Sequence, residues 1–164
     1  MVMLKGKWKD EILDELIRGN LESNALLELQ RAAKEDDRFD RILEREQKRV
    51  PWDDKIVLCL QENLYIVEKN GRKIVKCICG HEFGDYKVNW KENALVYERD
   101  TEEKLEEIYQ GRRKPDNKWQ VIREFYCPSC AVMLDVEPVL PLYPFVFAFQ
   151  PDFEAWERRR KTIK

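Results

Sequence analysis

The spacing of apolar residues predicts helices at both ends of the chain. Over residues 7–19, apolar side chains recur every three or four positions, the pattern of a helix that buries one face. Two more short helices are expected before residue 50, and a last helix should begin after Asp152, whose side chain would cap it. Because short isolated helices are marginal in water, the N-terminal arm, residues 1–49, must pack on the rest of the chain or on a partner.

The middle of the chain has the composition of β-strands. Strands are predicted at residues 55–60, 64–69, 72–76, 94–99 and 119–126, with residues 131–136 leading out of the last turn. The pair Asn70-Gly71 is a strong signal for a two-residue hairpin turn. A helix is predicted at residues 101–110 with Asp100 as its cap, and residues 82–92 are expected to form an irregular loop.

A proline-rich apolar segment follows the strands. Pro138, Pro141 and Pro144 should prevent regular structure across residues 138–149, which are rich in leucine, valine and aromatic side chains. An extended segment cannot pair its own backbone groups. We therefore expect it either to cross a core as a strap or to lie buried at a subunit contact.

Composition and charge narrow the class of protein. The chain has 164 residues, of which 38% are charged, and its formal net charge is −2. Its pI near 5.7 argues against a general nucleic-acid binder, which would be basic. No apolar run reaches the roughly 18 residues needed to cross a membrane, and the polar N-terminus is unlike a secretory signal, so we expect a cytoplasmic protein.

Two short cysteine runs carry the candidate chemistry. They are Cys77-Ile78-Cys79-Gly80-His81 and Cys127-Pro128-Ser129-Cys130. Each is a tight turn whose sulfurs can reach one metal ion, and zinc fits best because it prefers thiolate and imidazole ligands. Two ligand sets stay open here: all four cysteines, or three of them with His81. Burial of these cysteines without a metal and disulfide pairing are less favoured, the latter because the cysteine count is odd. Cys59 is expected to be a buried structural thiol.

These patterns together predict an α+β fold. Its centre would be a zinc-ribbon-like antiparallel β core, flanked by the N-terminal helical arm and a C-terminal helix. The predicted boundaries are residues 1–49 for the arm, 50–137 for the β domain with the inserted helix 101–110, and 138–164 for the proline- and aromatic-rich segment and last helix.

The residues outside the cysteine runs resemble a known family. The matching pieces are Pro51-Trp52-Asp53-Asp54-Lys55-Ile56, Cys79-Gly80-His81, Asn89-Trp90-Lys91, Arg99-Asp100-Thr101, Glu107-Ile108-Tyr109, Trp119-Gln120-Val121-Ile122-Arg123-Glu124, Cys127-Pro128-x-Cys130, Asp135-Val136-Glu137, Tyr143-Pro144 and Pro151-Asp152. In this order they resemble the small (gamma) subunit of the acetone carboxylase family, which includes acetophenone-type ketone carboxylases. The likeness covers roughly residues 50–153. One departure is Ala131, where glycine is expected after the second cysteine pair.

The resemblance implies a cytoplasmic hetero-oligomer that uses ATP and bicarbonate to carboxylate a ketone. It implies that larger alpha- and beta-type subunits hold ATP and a catalytic divalent metal. The small subunit would carry a structural zinc and support assembly. Together with the two cysteine runs, this predicts a zinc held by Cys77, Cys79, Cys127 and Cys130, with His81 either replacing one of them or lying next to a ligand.

The residues themselves support a subunit without catalytic groups of its own. The chain has no Walker-type glycine loop and a single histidine, so no Ser/His/Asp set can form. Two other functions stay open. One is a zinc-ribbon nucleic-acid-binding or regulatory module that uses the basic loop 111–118. The other is a zinc enzyme with three cysteine ligands and His81 as its base.

Overall fold

The computed structural model describes residues 8–162 and has the predicted α+β fold, with helices around two antiparallel sheets. Residues 1–7 of the predicted arm and residues 163–164 of the predicted C-terminal unit lie outside the described residues. The helices are α1 (Asp10–Ile17), α2 (Ser23–Arg31), α3 (Arg38–Arg49), α4 (Glu102–Tyr109) and α5 (Phe153–Thr162). The strands are β1 (Lys55–Gln61), β2 (Leu64–Lys69), β3 (Arg72–Cys77), β4 (Glu82–Asp85), β5 (Leu95–Arg99), β6 (Val121–Tyr126) and β7 (Met133–Val139). None of the described helices combines the length and the apolar character that crossing a membrane requires.

The first sheet has four strands in the order β1-β2-β3-β4. The hairpin predicted at Asn70-Gly71 is confirmed. Lys69 pairs with Arg72, and both turn residues have positive φ, 50° and 74°, as a type I′ turn requires. The loop prediction for residues 82–92 was wrong in its first part, because β4 pairs there with β3.

The second sheet has the order β5-β6-β7, with α4 between its first two strands along the chain. The prediction that Pro138 ends regular structure was wrong. Pro138 lies within β7, opposite Ile122. Since β7 is an edge strand, its outer backbone edge needs no partner, and a proline is tolerated there.

Helix starts follow side-chain chemistry. Asp152 was predicted to cap the last helix, and its Oδ1 accepts a hydrogen bond from the Ala155 amide at 2.9 Å. The Asp100 prediction was wrong, because Oγ1 of Thr101 accepts the bond from the Lys104 amide at 3.3 Å. Asp100 instead pairs with the ammonium group of Lys104 at 2.6 Å.

The described part of the N-terminal arm packs on the first sheet through α3. Leu43 and Val50 lie against an apolar cluster formed by Ile56, Tyr65 and Val67. The Tyr65 hydroxyl also donates a hydrogen bond to the Glu46 carboxylate at 2.8 Å. The arm is therefore joined to the strands by both apolar and polar contacts.

Aromatic side chains join the two sheets. Phe83, Trp90, Phe125 and Phe145 contact one another in that order, edge to face, with ring centroids 5.3–6.0 Å apart. A second series connects Tyr86 to Phe153, Phe153 to Trp156, and Trp156 to Phe39 of α3. The chain between β7 and α5 packs on the second sheet through Phe145, and residues 140–151 are called the strap below.

Candidate metal centre

The two cysteine runs lie at the ends of two hairpins that meet. Cys77 is the last residue of β3, and the run that follows it leads into β4. Cys127 follows β6, and its run leads into β7. The four sulfurs, of Cys77, Cys79, Cys127 and Cys130, lie within 4.8 Å of one another.

The spacing of the sulfurs fits a tetrahedral metal ion. Sγ of Cys77 and Sγ of Cys130 are 3.8 Å apart, and Sγ of Cys79 and Sγ of Cys127 are 3.7 Å apart. A tetrahedron of sulfurs about 2.3 Å from zinc has an edge of about 3.8 Å. Bonded sulfurs would be about 2.05 Å apart, and all of these cysteines are free. The cluster can hold a metal ion and is compatible with zinc.

The two turns reach the same geometry with different lengths. In the first turn, the Cys77 amide donates to the His81 carbonyl and the Gly80 amide to the Cys77 carbonyl, both at 2.8 Å. In the second, the Cys127 amide donates to the Val132 carbonyl at 3.0 Å and the Ala131 amide to the Cys127 carbonyl at 2.9 Å. The first turn closes over one residue fewer, which is how Cys-x-Cys brings its sulfurs as close as Cys-x-x-Cys.

Backbone amides affect the pKa values of the cysteine thiols. Burial raises the pKa of the Cys77 and Cys130 thiols, while the amides of Cys79 and Val132 oppose that shift. Burial also acts to raise the pKa of Cys79, but the His81 amide and the other sulfurs outweigh it and lower that pKa below its usual value. Amide donors favour a thiolate over a thiol. The same amides would therefore support thiolates that bind a cation.

Both turns end on a residue with positive φ. Gly80 has φ of 99°, and Ala131, in the equivalent place, has φ of 57°. Glycine adopts such angles without strain, whereas a residue with a Cβ does so at a cost of about 1–2 kcal/mol. Ala131 thus keeps the turn geometry and stores some strain in it.

Among the described residues, the side chains close enough to share one metal ion are those of the four cysteines, and His81 is not one of them. Its ring packs edge to face on Phe83, with centroids 4.9 Å apart. The main chain of His81, by contrast, makes two contacts in the first turn, one with Cys77 and one with Cys79. The geometry favours the ligand set of four cysteines.

Trp52 holds the first turn from outside, a role that the sequence did not reveal. Its Nε1 donates to the carbonyl of Ile78 at 3.0 Å, and its ring carbon Cδ1 lies 3.4 Å from where a Cβ on Gly80 would stand. Neighbouring Asp54 pairs with the buried ammonium of Lys76, just before Cys77. The only sequence signal for this arrangement was the Pro51-Trp52 break before β1.

Cys59 lies apart from the cluster, in β1 opposite Tyr65. Burial raises the pKa of its thiol to about 12. A thiol held protonated in this way is a poor nucleophile and a poor metal ligand. Cys59 is only partly buried, however, so the prediction of a buried thiol was too strong.

Lys91 and Arg99, two charged residues in the matching pieces, each form ion pairs. Lys91, which is 5% exposed, pairs with Asp135 at 2.6 Å and also with Glu137. Arg99 pairs with Glu124 at 2.7 Å and with Glu107 at 2.5 Å. These ion pairs connect separate segments of the β domain, so a structural role is enough to explain why Lys91 and Arg99 are charged.

The basic loop 111–118 carries less free charge than its sequence indicates. Lys114 pairs with both Glu102 and Glu106 of α4 at 2.9 Å. That pairing weakens the case for a phosphate-binding loop, because a nucleic acid would have to displace two carboxylates.

Comparison with known proteins gives a consistent result. A family model described as the acetone carboxylase gamma subunit matches residues 50–161, more than half of the chain. The chain is 43% identical to the acetone carboxylase gamma subunit of Xanthobacter autotrophicus over 150 residues, which is 90% of this chain and 89% of the relative. It is also 29% identical to the acetophenone carboxylase beta subunit of Aromatoleum aromaticum over 85 residues, 51% of this chain and 66% of that one.

Proposed function

This chain belongs to the acetone carboxylase gamma subunit family, and from that membership we propose that it is the structural zinc-binding small subunit of an ATP-dependent ketone carboxylase. The observation that carries the proposal is the family match, which spans both cysteine turns and the strap. Its role would be to support assembly of the complex, while larger subunits carry out catalysis.

The proposed ligands are Cys77, Cys79, Cys127 and Cys130. Their sulfurs have the separations of a tetrahedral zinc site. Two of these cysteines are buried and two are exposed. Four close thiolates would repel one another without a cation, so zinc would stabilise the junction of the two hairpins. Structural zinc can contribute on the order of 10 kcal/mol to folding.

The proposal assigns no catalytic step to this chain. Zinc with four thiolate ligands has no open position for water or substrate, unlike catalytic zinc sites. The buried charges around Lys91 and Arg99 already have partners. ATP and a catalytic divalent metal are expected in the larger alpha- and beta-type subunits.

The proposal also covers location and organisation. The complex would be a cytoplasmic hetero-oligomer, where a reducing environment keeps thiolates available for zinc. The chain would have three parts: the arm at residues 1–49, the zinc-ribbon-like unit at 50–137 and the C-terminal unit at 138–164.

The test is purification of the tagged full-length chain from its native host, grown on a ketone. We expect two or more larger chains to co-purify, with ATP hydrolysis that depends on both bicarbonate and the ketone. Zinc measured in the same sample should be one per copy of this chain. A tagged unrelated protein from the same cells is the control. Recovery of the chain alone, or with nucleic acid, would contradict the proposal.

A further inference from the structure

The strap differs in charge from the rest of the chain. Residues 140–151 contain no charged side chain, although 38% of the whole chain is charged. An uncharged stretch of this length loses little hydration free energy when another protein covers it. The same lack of cations makes it unsuited to nucleic acid, whose phosphates need lysine and arginine partners.

The outer face of the strap is apolar and exposed. Leu142 is 98% exposed, Phe149 53% and Trp119 73%. Val121 pairs with Val139, so Trp119, just before β6, and the strap, just after β7, lie at the same end of this strand pair. We call these residues and their exposed neighbours the strap surface. It consists of Trp119, Leu140, Leu142, Tyr143, Val146 and Phe149. Five of these six side chains come from a single segment of ten residues, and large exposed apolar patches mark interaction sites.

The strap is held in place although its outer face is bare. Phe145 turns inward, where its ring lies 5.3 Å from the ring of Phe125 and 5.2 Å from the guanidinium of Arg123. The Asn89 side chain donates to the Phe145 carbonyl at 3.4 Å. Within the described residues, the amides of residues 145–150 donate no backbone hydrogen bond. They are free to pair with a partner on a segment already fixed in position.

Leu142 has an unfavourable backbone conformation, and its apolar side chain is exposed to water. It is the third residue of a turn closed by the Tyr143 amide and the Leu140 carbonyl, at 3.1 Å, and its φ is 63°. That position of a turn strongly favours glycine when φ is positive. A bulky apolar side chain there gains nothing within this chain. Strain of this sort points to a function outside the fold.

We propose that the strap surface is the docking site for a larger subunit of the carboxylase, with Leu142 as its central apolar contact. The inference rests on the function proposed above. The partner face would be apolar, with polar groups positioned to accept the free amides of the strap.

Leu142→Gly tests the proposal because its two effects have opposite signs. In the isolated chain, relief of the positive φ should raise the midpoint of thermal unfolding by about 2–4 °C. In the complex, loss of the side chain should weaken binding to the larger subunits at least about tenfold. Native mass spectrometry and a titration with the larger subunits measure the second effect, and Leu142→Met should bind as the wild type does.

Gln110→Gly is the matched control. Gln110 also has positive φ, 48°, but lies at the end of α4 and is not part of the strap surface. It should raise the unfolding midpoint similarly and leave assembly unchanged. Hydrogen exchange should show protection of amides 145–150 in the complex and not in the isolated chain.

The outcomes separate the two proposals. If wild type assembles with the larger subunits and Leu142→Gly binds equally well, the docking site is wrong while the function stands. If wild type alone dimerises and Leu142→Gly is a monomer, the strap surface binds a second copy, which overturns the docking proposal. If wild type binds no carboxylase subunit, the proposed function is wrong and the docking site with it.

Discussion

The indole nitrogen of Trp52 donates a hydrogen bond to the carbonyl oxygen of Ile78, the residue between the first two cysteines, at 3.0 Å. These residues lie far apart along the chain, with the three strands β1, β2 and β3 between them. Because the turn is short, fixing one carbonyl fixes the direction of both adjacent cysteine side chains. The Trp52 segment therefore contributes to the metal centre without supplying a ligand.

Trp52→Phe should loosen the first turn. Phenylalanine keeps an aromatic ring beside Gly80 but cannot donate to the Ile78 carbonyl. The expected loss is about 0.5–1.5 kcal/mol of unfolding free energy and roughly tenfold in zinc affinity, as is common for residues that orient ligands. Competition with a chromogenic chelator measures the affinity. Trp119→Phe, at an exposed tryptophan, should change neither value, and equal zinc retention by both variants would argue against this role of Trp52.

Substitutions at Gly80 and Ala131, the positive-φ residues of the two cysteine turns, should change the unfolding free energy in opposite directions. Ala131→Gly relieves strain and should raise the unfolding free energy by about 0.5–1 kcal/mol. Gly80→Ala imposes strain and should lower it by about 1–3 kcal/mol. Gly84→Ala separates backbone strain from crowding by Trp52. Gly84 has the same φ of 99° but no atom within 4 Å of the added Cβ, so its substitution should lower the unfolding free energy through strain alone. Chemical denaturation with zinc present measures all three, and a shift of Ala131→Gly in the direction of Gly80→Ala would refute the strain argument.

Local patterns in the sequence predicted the local features of the site. The two cysteine turns could be found from spacing alone, because each places its sulfurs within a few residues of chain. The same holds for the Asn70-Gly71 turn and the Asp152 cap, whose geometry depends on adjacent residues only. The α+β class followed from the apolar periodicities.

Features that depend on distant residues could not be predicted. Pro138 continues a strand because β7 lies at the edge of its sheet, and sheet order is not visible in a single sequence. The cap of α4 was missed for a different, local reason: Asp100 and Thr101 can both cap a helix, and the Asp100 carboxylate pairs with Lys104 while Thr101 supplies the cap. The contact of Trp52 with the first turn likewise required the folded chain.

Zinc should depend on the four cysteines and not on His81. Replacing Cys79 or Cys130 by serine should greatly lower the zinc content and the unfolding temperature, because zinc binding is coupled to folding. His81→Ala should retain one zinc per chain, since its ring packs on Phe83. Cys59→Ser is the control, because Cys59 lies outside the group of sulfurs. Elemental analysis decides between the ligand sets: loss of zinc in His81→Ala with retention in one cysteine variant would indicate three cysteines and a histidine.

Lys91→Met should be strongly destabilising. The lysine is buried between Asp135 and Glu137, so its loss leaves two carboxylates close together without a counter-ion. Breaking a buried ion pair in this way costs about 3–5 kcal/mol. Adding Asp135→Asn and Glu137→Gln should restore part of the stability. Lys87→Met, at an exposed lysine, is the control. A triple variant no more stable than Lys91→Met would contradict the ion-pair explanation.

Tyr65→Phe should lower stability at neutral pH and weaken its decline at alkaline pH. Burial, and then the hydrogen bond to Glu46, raise the pKa of Tyr65 above its usual value of 10.0. A raised pKa in the folded state gives stability that is complete below pH 10 and is lost as pH rises, because the unfolded chain ionises first. At pH 7 the variant should be less stable by about 1.5–3 kcal/mol, the range for a hydrogen bond to a charged group. Glu46 keeps its pairing with Arg49 at 2.8 Å, so the carboxylate does not become isolated.

Denaturant titrations of Tyr65→Phe and the wild type from pH 7 to 11 should show their stability curves converging above pH 10. Tyr143→Phe, in the exposed strap, should follow the wild type throughout, and a constant gap between Tyr65→Phe and the wild type would mean that ionisation of Tyr65 does not control alkaline stability.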